Sequence, residues 1–204
     1  MNPSVANRAS LEEKVQVDFD FPQAWHRLLL EINQVLSRVP AGAAESLIAA
    51  LEQAPRIFGF GAGRSGFVLR SFCMRLMQLG YQVYYVGETT TPRLQAGDLL
   101  VVISGSGETP HTLGLVQQAR QRQAFTVALT AHRSSSLGQL VDLVVLIPGT
   151  TKLTLAEEED SHQCPGSLFE QAAFLFLEAV VLLLFHRRWG RDKAQVLARH
   201  ADLE

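Results

Sequence analysis

From residue 56 to residue 147 the chain alternates short apolar runs with longer stretches of helical period. The run at 99–103, Leu-Leu-Val-Val-Ile, is continuous and rich in β-branched residues. Such a run reads as a strand buried on both faces, as in a parallel sheet. Residues 56–60, 82–86, 125–130 and 142–147 repeat the signal, and helices are expected at 67–79, 111–122 and 135–140. Strands joined by helices imply parallel pairing with right-handed crossovers. The expected fold is therefore α/β, a five-stranded parallel sheet of flavodoxin-like, three-layer type with strand order 2-1-3-4-5. Ligands of such sheets bind where the order reverses, between strands one and three.

Two turns fall at that place. After the third strand comes Ser104-Gly105-Ser106-Gly107-Glu108-Thr109, with Pro110 at a first helical position. Small residues let backbone approach a ligand, Ser104, Ser106 and Thr109 bring hydroxyls, and the following helix brings free N–H groups. This is an anion cradle suited to phosphate. After the first strand comes Gly61-Ala62-Gly63-Arg64-Ser65-Gly66. Gly61, Gly63 and Gly66 match the G-x-G-x-x-G of dinucleotide sites, with Glu88 as the acid expected after strand two. The other reading makes this turn a second wall of a sugar-phosphate site, since Arg64 and Ser65 are polar and a dinucleotide does not require a second cradle. Topology and turn chemistry point to one crevice.

The remaining chain frames this core as one domain over residues 1–204. Residues 1–21 show no clear period and read as a partly frayed end. Within 22–39 Trp25, Leu28, Leu29, Ile32, Val35 and Leu36 recur at helical spacing, with Arg27, Glu31 and Arg38 off that stripe; 43–54 reads as a second helix, completing an N-terminal helical region at 22–54. The sheet core and C-terminal helices occupy 55–204. Residues 149–164 are polar and loop-like, 167–188 a long apolar helix, and 192–200 a last short one.

Charge and composition narrow the function. A net charge of -2 speaks against nucleic acid as a partner. Two cysteines, Cys73 and Cys164, make neither a disulfide framework nor a zinc site. Glu170 and Glu178 interrupt the apolar stretch around 172–185, so the long helix is expected to be buried in the core or against another subunit rather than in a membrane. Polar first residues, with Glu12, Glu13 and Lys14, carry no signal peptide, and a cytoplasmic protein is expected. The acidic run at 157–160 reads as a solvated loop rather than a metal site with His162. No metal and no cofactor is expected. Cys73 reads as core, Cys164 as a reachable thiol, and His132-Arg133 as a supporting contact at the ligand end of strand four.

The ordered set GAGRSG, GETTTP at 87–92, SGSGETP, GSLFEQ at 166–171 and the ending HADLE resembles the 6-phospho-3-hexuloisomerases of the sugar isomerase (SIS) family, over about residue 40 to the C-terminus. The resemblance implies an isomerase that interconverts a 3-hexulose 6-phosphate and fructose 6-phosphate through an enediolate. It implies the second step of the ribulose monophosphate route of formaldehyde fixation, no organic cofactor or metal, and a homotetramer. It places Gly63, Arg64, Ser65, Ser104, Gly105, Ser106, Gly107, Glu108 and Thr109 around the substrate phosphate, with Lys152 a weaker addition. It makes Glu170 the base that carries a proton between carbons 2 and 3. His200 becomes a helper at the carbonyl or in ring opening, acting from a neighbouring subunit. Where the family reads Gln-Pro-Met-Gly, this chain has Gln163-Cys164-Pro165-Gly166, which alters the backbone just ahead of Glu170.

Two alternatives share the fold. One is a sugar-phosphate sensor regulating a partner, though no basic recognition helix precedes the sheet. The other is a different isomerase, such as an arabinose 5-phosphate type, which often carries further domains.

Overall fold

In the computed structural model residues 20–151 and 161–202 are described. Most of the expected frayed end, Lys152, the 157–160 acidic run, Leu203 and Glu204 lie outside the described residues. Two helices lead in, α1 (Phe21–Ser37) and α2 (Ala43–Gln53). The core follows as β1 (Ile57–Gly61), α3 (Gly63–Gln78), β2 (Val83–Tyr85), β3 (Leu99–Ile103), α4 (Pro110–Gln121), β4 (Phe125–Thr130), α5 (Ser136–Leu140) and β5 (Leu143–Leu146). The long helix α6 (Ser167–Trp189) and the short α7 (Lys193–Leu197) close the chain. All pairings are parallel and the strand order is β2-β1-β3-β4-β5, as the sequence predicts.

Local chemistry explains the ends of the elements. Asp20 caps α1 through a reciprocal pair in which Gln23 N donates to Asp20 Oδ1 at 2.9 Å and Asp20 N donates to Gln23 Oε1 at 2.8 Å. Pro110 opens α4 at a position where no backbone donor is needed. Helix α3 departs from expectation: it starts at Gly63, so Arg64, Ser65 and Gly66 form its first turn rather than a preceding loop. Of the glycines there, Gly63 takes a left-handed φ of 56° as the helix begins, and Gly66 serves close packing. A Cβ on Gly66 would lie 2.4 Å from the Gly61 carbonyl oxygen, so only glycine lets α3 pass so near the end of β1.

Strand β3 shows why the sheet needs cover on both sides. Leu99, Val101 and Ile103 join a core that also takes Leu69, Phe72 and Leu76 of α3, Leu47, Ile48 and Leu51 of α2, and Phe176, Leu177 and Val180 of α6. Leu100 and Val102 face the opposite core, with Val116 and Ala119 of α4 and Leu137 of α5. Each of the Val, Leu, Ile and Phe side chains among them contributes about 1.5–3 kcal/mol on burial. Helices α1, α2, α3 and α6 thus form one layer and α4 and α5 the other.

Helix α6 is apolar and long enough to span a membrane by length and composition alone. Leu168, Phe169, Ala172, Ala173, Phe176, Leu177, Val180 and Leu184 are buried within the domain, against α3, α1 and α2. Phe174, Leu175, Leu182 and Leu183 remain exposed on its other side.

Cys73 lies in the α3–sheet core, and burial pushes its thiol up to about 12. Cys164 is exposed. In a Cys164→Ser background, Cys73 is expected to ignore an aromatic disulfide reagent at pH 8 until denaturant unfolds the chain. Labelling of the native variant at a free-thiol rate would show that the α3–sheet interface opens.

Candidate active site

The chain leaves β1 toward one face of the sheet and β3 toward the other, which opens a crevice at their carboxyl ends. Its volume is about 390 Å³. Gly63, Arg64 and Ser65 of the first turn of α3 form one wall, and Ser104, Gly105, Ser106 and Thr109 form the second. The third is Gly166, Phe169 and Glu170 at the start of α6, with Thr151 beside them.

The cradle after β3 is held by its own hydroxyls. Ser104 Oγ lies 2.9 Å from Thr109 Oγ1 and accepts from Gly107 N at 3.2 Å. Ser106 Oγ accepts from Glu108 N at 3.2 Å. Thr130 Oγ1 donates to the Gly105 carbonyl at 3.2 Å, tying the cradle to the end of β4. Gly105 has Phe169 directly against it: a Cβ there would lie 2.9 Å from the ring. The cradle and the start of α6 therefore fix each other.

The first turn is held by a residue the sequence reading missed. Tyr85, buried at the end of β2, accepts from Gly61 N at 3.2 Å and donates to the Gly61 carbonyl at 2.9 Å. The Arg70 guanidinium lies 3.7 Å above its ring, and Arg70 pairs with Glu88 at 2.8 Å. Glu88, the acid that the dinucleotide reading required after strand two, is thus committed to Arg70 and does not line the crevice. No sequence signal distinguished Tyr85 from its neighbour Tyr84.

Glu170 lies in the first turn of α6, where its N–H donates to the Gly166 carbonyl at 3.2 Å. Its side chain is 13% exposed and is paired with Arg64, which is 68% exposed. That bond holds the Arg64 guanidinium above its ordinary value. The pair also separates the crevice from a second cavity of about 400 Å³, lined by Ile32 of α1, Phe67, Val68, Gln171, Phe174 and Leu175. A wall of hydroxyls and a carboxylate thus share one crevice, with the exposed Arg64 guanidinium paired to the carboxylate.

Glu108, Gly107 and His200 do not line the crevice of their own chain. The Glu108 carboxylate turns away to the start of α5 and accepts from Ser136 N at 2.8 Å. The Ser136 backbone and hydroxyl hold that carboxyl below the usual carboxylate range. Gly107 also leaves the crevice lining, because its N–H is used within the turn, donating to Ser104 O at 3.1 Å. His200 is exposed after α7, with its Nδ1 3.0 Å from the Ala201 carbonyl. The adjacent Arg199 stacks 4.9 Å over Trp189 and borders Gly80, just past the far end of α3. The 16 residues of α3 span about 24 Å, so His200 is about a helix length from its own chain's crevice.

His132 at the end of β4 has Nε2 3.2 Å from the Thr151 hydroxyl, and so does support the crevice wall. Among the described residues no three His, Cys, Asp or Glu side chains converge on a metal position.

The SIS domain family matches residues 50–157 of the chain. A Bacillus subtilis protein named 3-hexulose-6-phosphate isomerase is 37% identical over 177 residues, 87% of this chain and 95% of that protein. A Mycobacterium gastri protein of the same name is 40% identical over 177 residues, 85% of this chain and 86% of the other. A crystal structure from Methanococcus jannaschii, from which a 3-hexulose-6-phosphate isomerase function was inferred, has a TM-score of 0.76 and 31% identity. The match covers 89% of this chain and 99% of that one.

Replacing Tyr85 by Phe strands the buried polar groups of Gly61. The loss is expected to be about 1–3 kcal/mol in a urea titration at 25 °C. An unchanged midpoint would show that the latch contributes nothing.

Proposed function

Because this chain belongs to the 3-hexulose-6-phosphate isomerase family of SIS-domain proteins, we propose that its crevice interconverts a 3-hexulose 6-phosphate and fructose 6-phosphate. The observation that carries the reading is the convergence of Ser65, Ser104, Ser106, Thr109 and Glu170 on one cavity at the reversal point of the sheet.

The reaction needs little machinery. Glu170 removes the proton on carbon 2, and the electron pair flows into the carbon 3 carbonyl to give an enediolate. The same carboxylate returns a proton to carbon 3. The hydroxyl on carbon 2 loses its proton as the carbonyl forms there, and the oxygen on carbon 3 keeps one. Two hydrogens have moved from carbon 2 and its oxygen to carbon 3 and its oxygen, with no net oxidation. One carboxylate on one face of a planar intermediate serves both transfers.

The phosphate rests on the serine and threonine hydroxyls and on the positive end of α4. The Gly107 and Glu108 N–H groups brace the turn from within. Arg64 exchanges partners: its exposed guanidinium turns to the arriving phosphate and leaves the Glu170 carboxylate free to act. The outward turn of Glu108 removes the one carboxylate that would repel the phosphate from within the cradle. His200 acts at the carbonyl from a neighbouring subunit of a tetramer, since its own crevice lies out of reach. The chain takes the second step of cytoplasmic formaldehyde fixation by the ribulose monophosphate route.

Glu170→Gln is expected to lower kcat by about 10² to 10⁴ in a steady-state assay of fructose 6-phosphate formation. Turnover near that of the parent would remove Glu170 as the base. Ser106→Ala is expected to raise KM with kcat within a few-fold. An unchanged KM would remove the serine cradle as the phosphate site.

A further inference from the structure

Glu31 is a charged residue on α1 that the chemistry above does not use. Its place off the apolar stripe of α1 suggests a solvated side chain, yet it is only 7% exposed. Its carboxylate is filled from three consecutive residues far along the chain. Oε2 accepts from Ser161 Oγ at 2.8 Å and from Gln163 Nε2 at 3.1 Å. Oε1 accepts from the His162 backbone N–H at 3.1 Å. Gln163 N in turn donates to Ser161 Oγ at 3.2 Å, which curls the three residues around the carboxylate.

The orientation of Gln163 is informative. Its Oε1 is buried with no partner among the described residues, so the amide forgoes one hydrogen bond to point its Nε2 at Glu31. A buried polar atom left unpaired is costly, and the contact to the carboxylate is what offsets it.

The clasped residues lead straight into the start of α6. Ser167 N donates to the Cys164 carbonyl at 2.9 Å, and Glu170 N donates to the Gly166 carbonyl at 3.2 Å. Few residues thus separate the clasp from Glu170, and no regular element intervenes before α6. Phe169 against Gly105 holds the first turn of α6 on the cradle side. The Glu31 clasp holds the entering chain on the side of α1, where Ile32 borders the cavity next to Arg64 and Glu170.

We propose that Glu31 is a positioning residue for the isomerisation: by clasping residues 161–163 it sets the entry of α6, and through it the aim of the Glu170 carboxylate. The inference rests on the isomerase reading. Glu31 itself touches no substrate atom. A small error in aim at the reacting carbon weakens proton transfer while leaving the phosphate grip intact, so kcat and KM respond differently.

The test is steady-state kinetics on the full-length protein with fructose 6-phosphate at 15 °C and 30 °C, alongside thermal melts. The variants are Glu31→Gln, Gln163→Ala and the double replacement. Glu31→Gln keeps the volume and removes the charge. Gln163→Ala keeps the carboxylate and two of its donors, and carries the test if the first variant fails to fold. The expected result is a kcat about 10- to 100-fold lower for Glu31→Gln, with KM within about twofold. The deficit is the same at both temperatures, and the double variant is no slower than Glu31→Gln alone. A kcat within twofold of the parent in folded variants would overturn the proposal. So would a loss that tracks the unfolded fraction, or one that raises KM by the same factor. A parent protein without turnover would remove the isomerase reading and this inference with it. An active parent with undiminished variants removes the inference alone.

Discussion

Strands β1 and β3 lie side by side although β2 separates them in sequence, and the chain leaves their ends toward opposite faces of the sheet. That divergence is the constraint on which the site depends. It follows from apolar strands that must be covered on both sides, with right-handed connections to do it. At the opposite edge a nearly buried Asp98 accepts from Arg56 Nε at 3.0 Å and from Gln95 N at 2.6 Å, tying β1 to the start of β3. The two strands stay paired to their carboxyl ends, from Ile57 beside Leu99 to Gly61 beside Ile103, and the crevice opens where the connections after them diverge.

For the proposed isomerisation the electrostatic problem is to hold an anionic phosphate near a carboxylate. The fold answers in three ways. The hydroxyls of Ser65, Ser104, Ser106 and Thr109 and the start of α4 offer a phosphate partners without adding a competing negative charge. Glu108 is taken up by the start of α5. Arg64, exposed, pairs with Glu170, and in the proposed reaction the phosphate is its second partner. The same pair walls off the apolar cavity behind it, which keeps the polar crevice distinct from the face of α1 and α6.

The parts of this account that were legible in the sequence are those written in local pattern. Leu99–Ile103 announced a doubly buried strand, and the Ser/Gly turn after it announced a wall of hydroxyls at the strand's carboxyl end, because both depend on neighbours in sequence. The boundary of α3 was misjudged because glycine signals a turn and a close approach alike; only the contact between Gly66 and the Gly61 carbonyl shows which applies. Tyr85 and Thr151 gave no signal, since their roles depend on partners fixed only by tertiary packing. Glu31 misled for a related reason. Helical period placed it off the apolar stripe, and its burial is set by Ser161, His162 and Gln163, over a hundred residues away. The role of Glu170 was reached through family resemblance, because an acid in a first helical turn is ordinary on its own.

In the proposed reaction Glu170 moves a proton between carbons 2 and 3 of a sugar phosphate held by the cradle. The most direct measurement is to equilibrate fructose 6-phosphate with the protein in deuterated water and follow the label by NMR, beside the same incubation with Glu170→Gln. Deuterium is expected at carbon 3 of recovered fructose 6-phosphate and at carbon 2 of the hexulose formed. None is expected at carbon 1, and labelling should slow sharply in the variant. Label arriving at carbon 1, or at carbon 3 with undiminished rate in the variant, would contradict the proposed reaction.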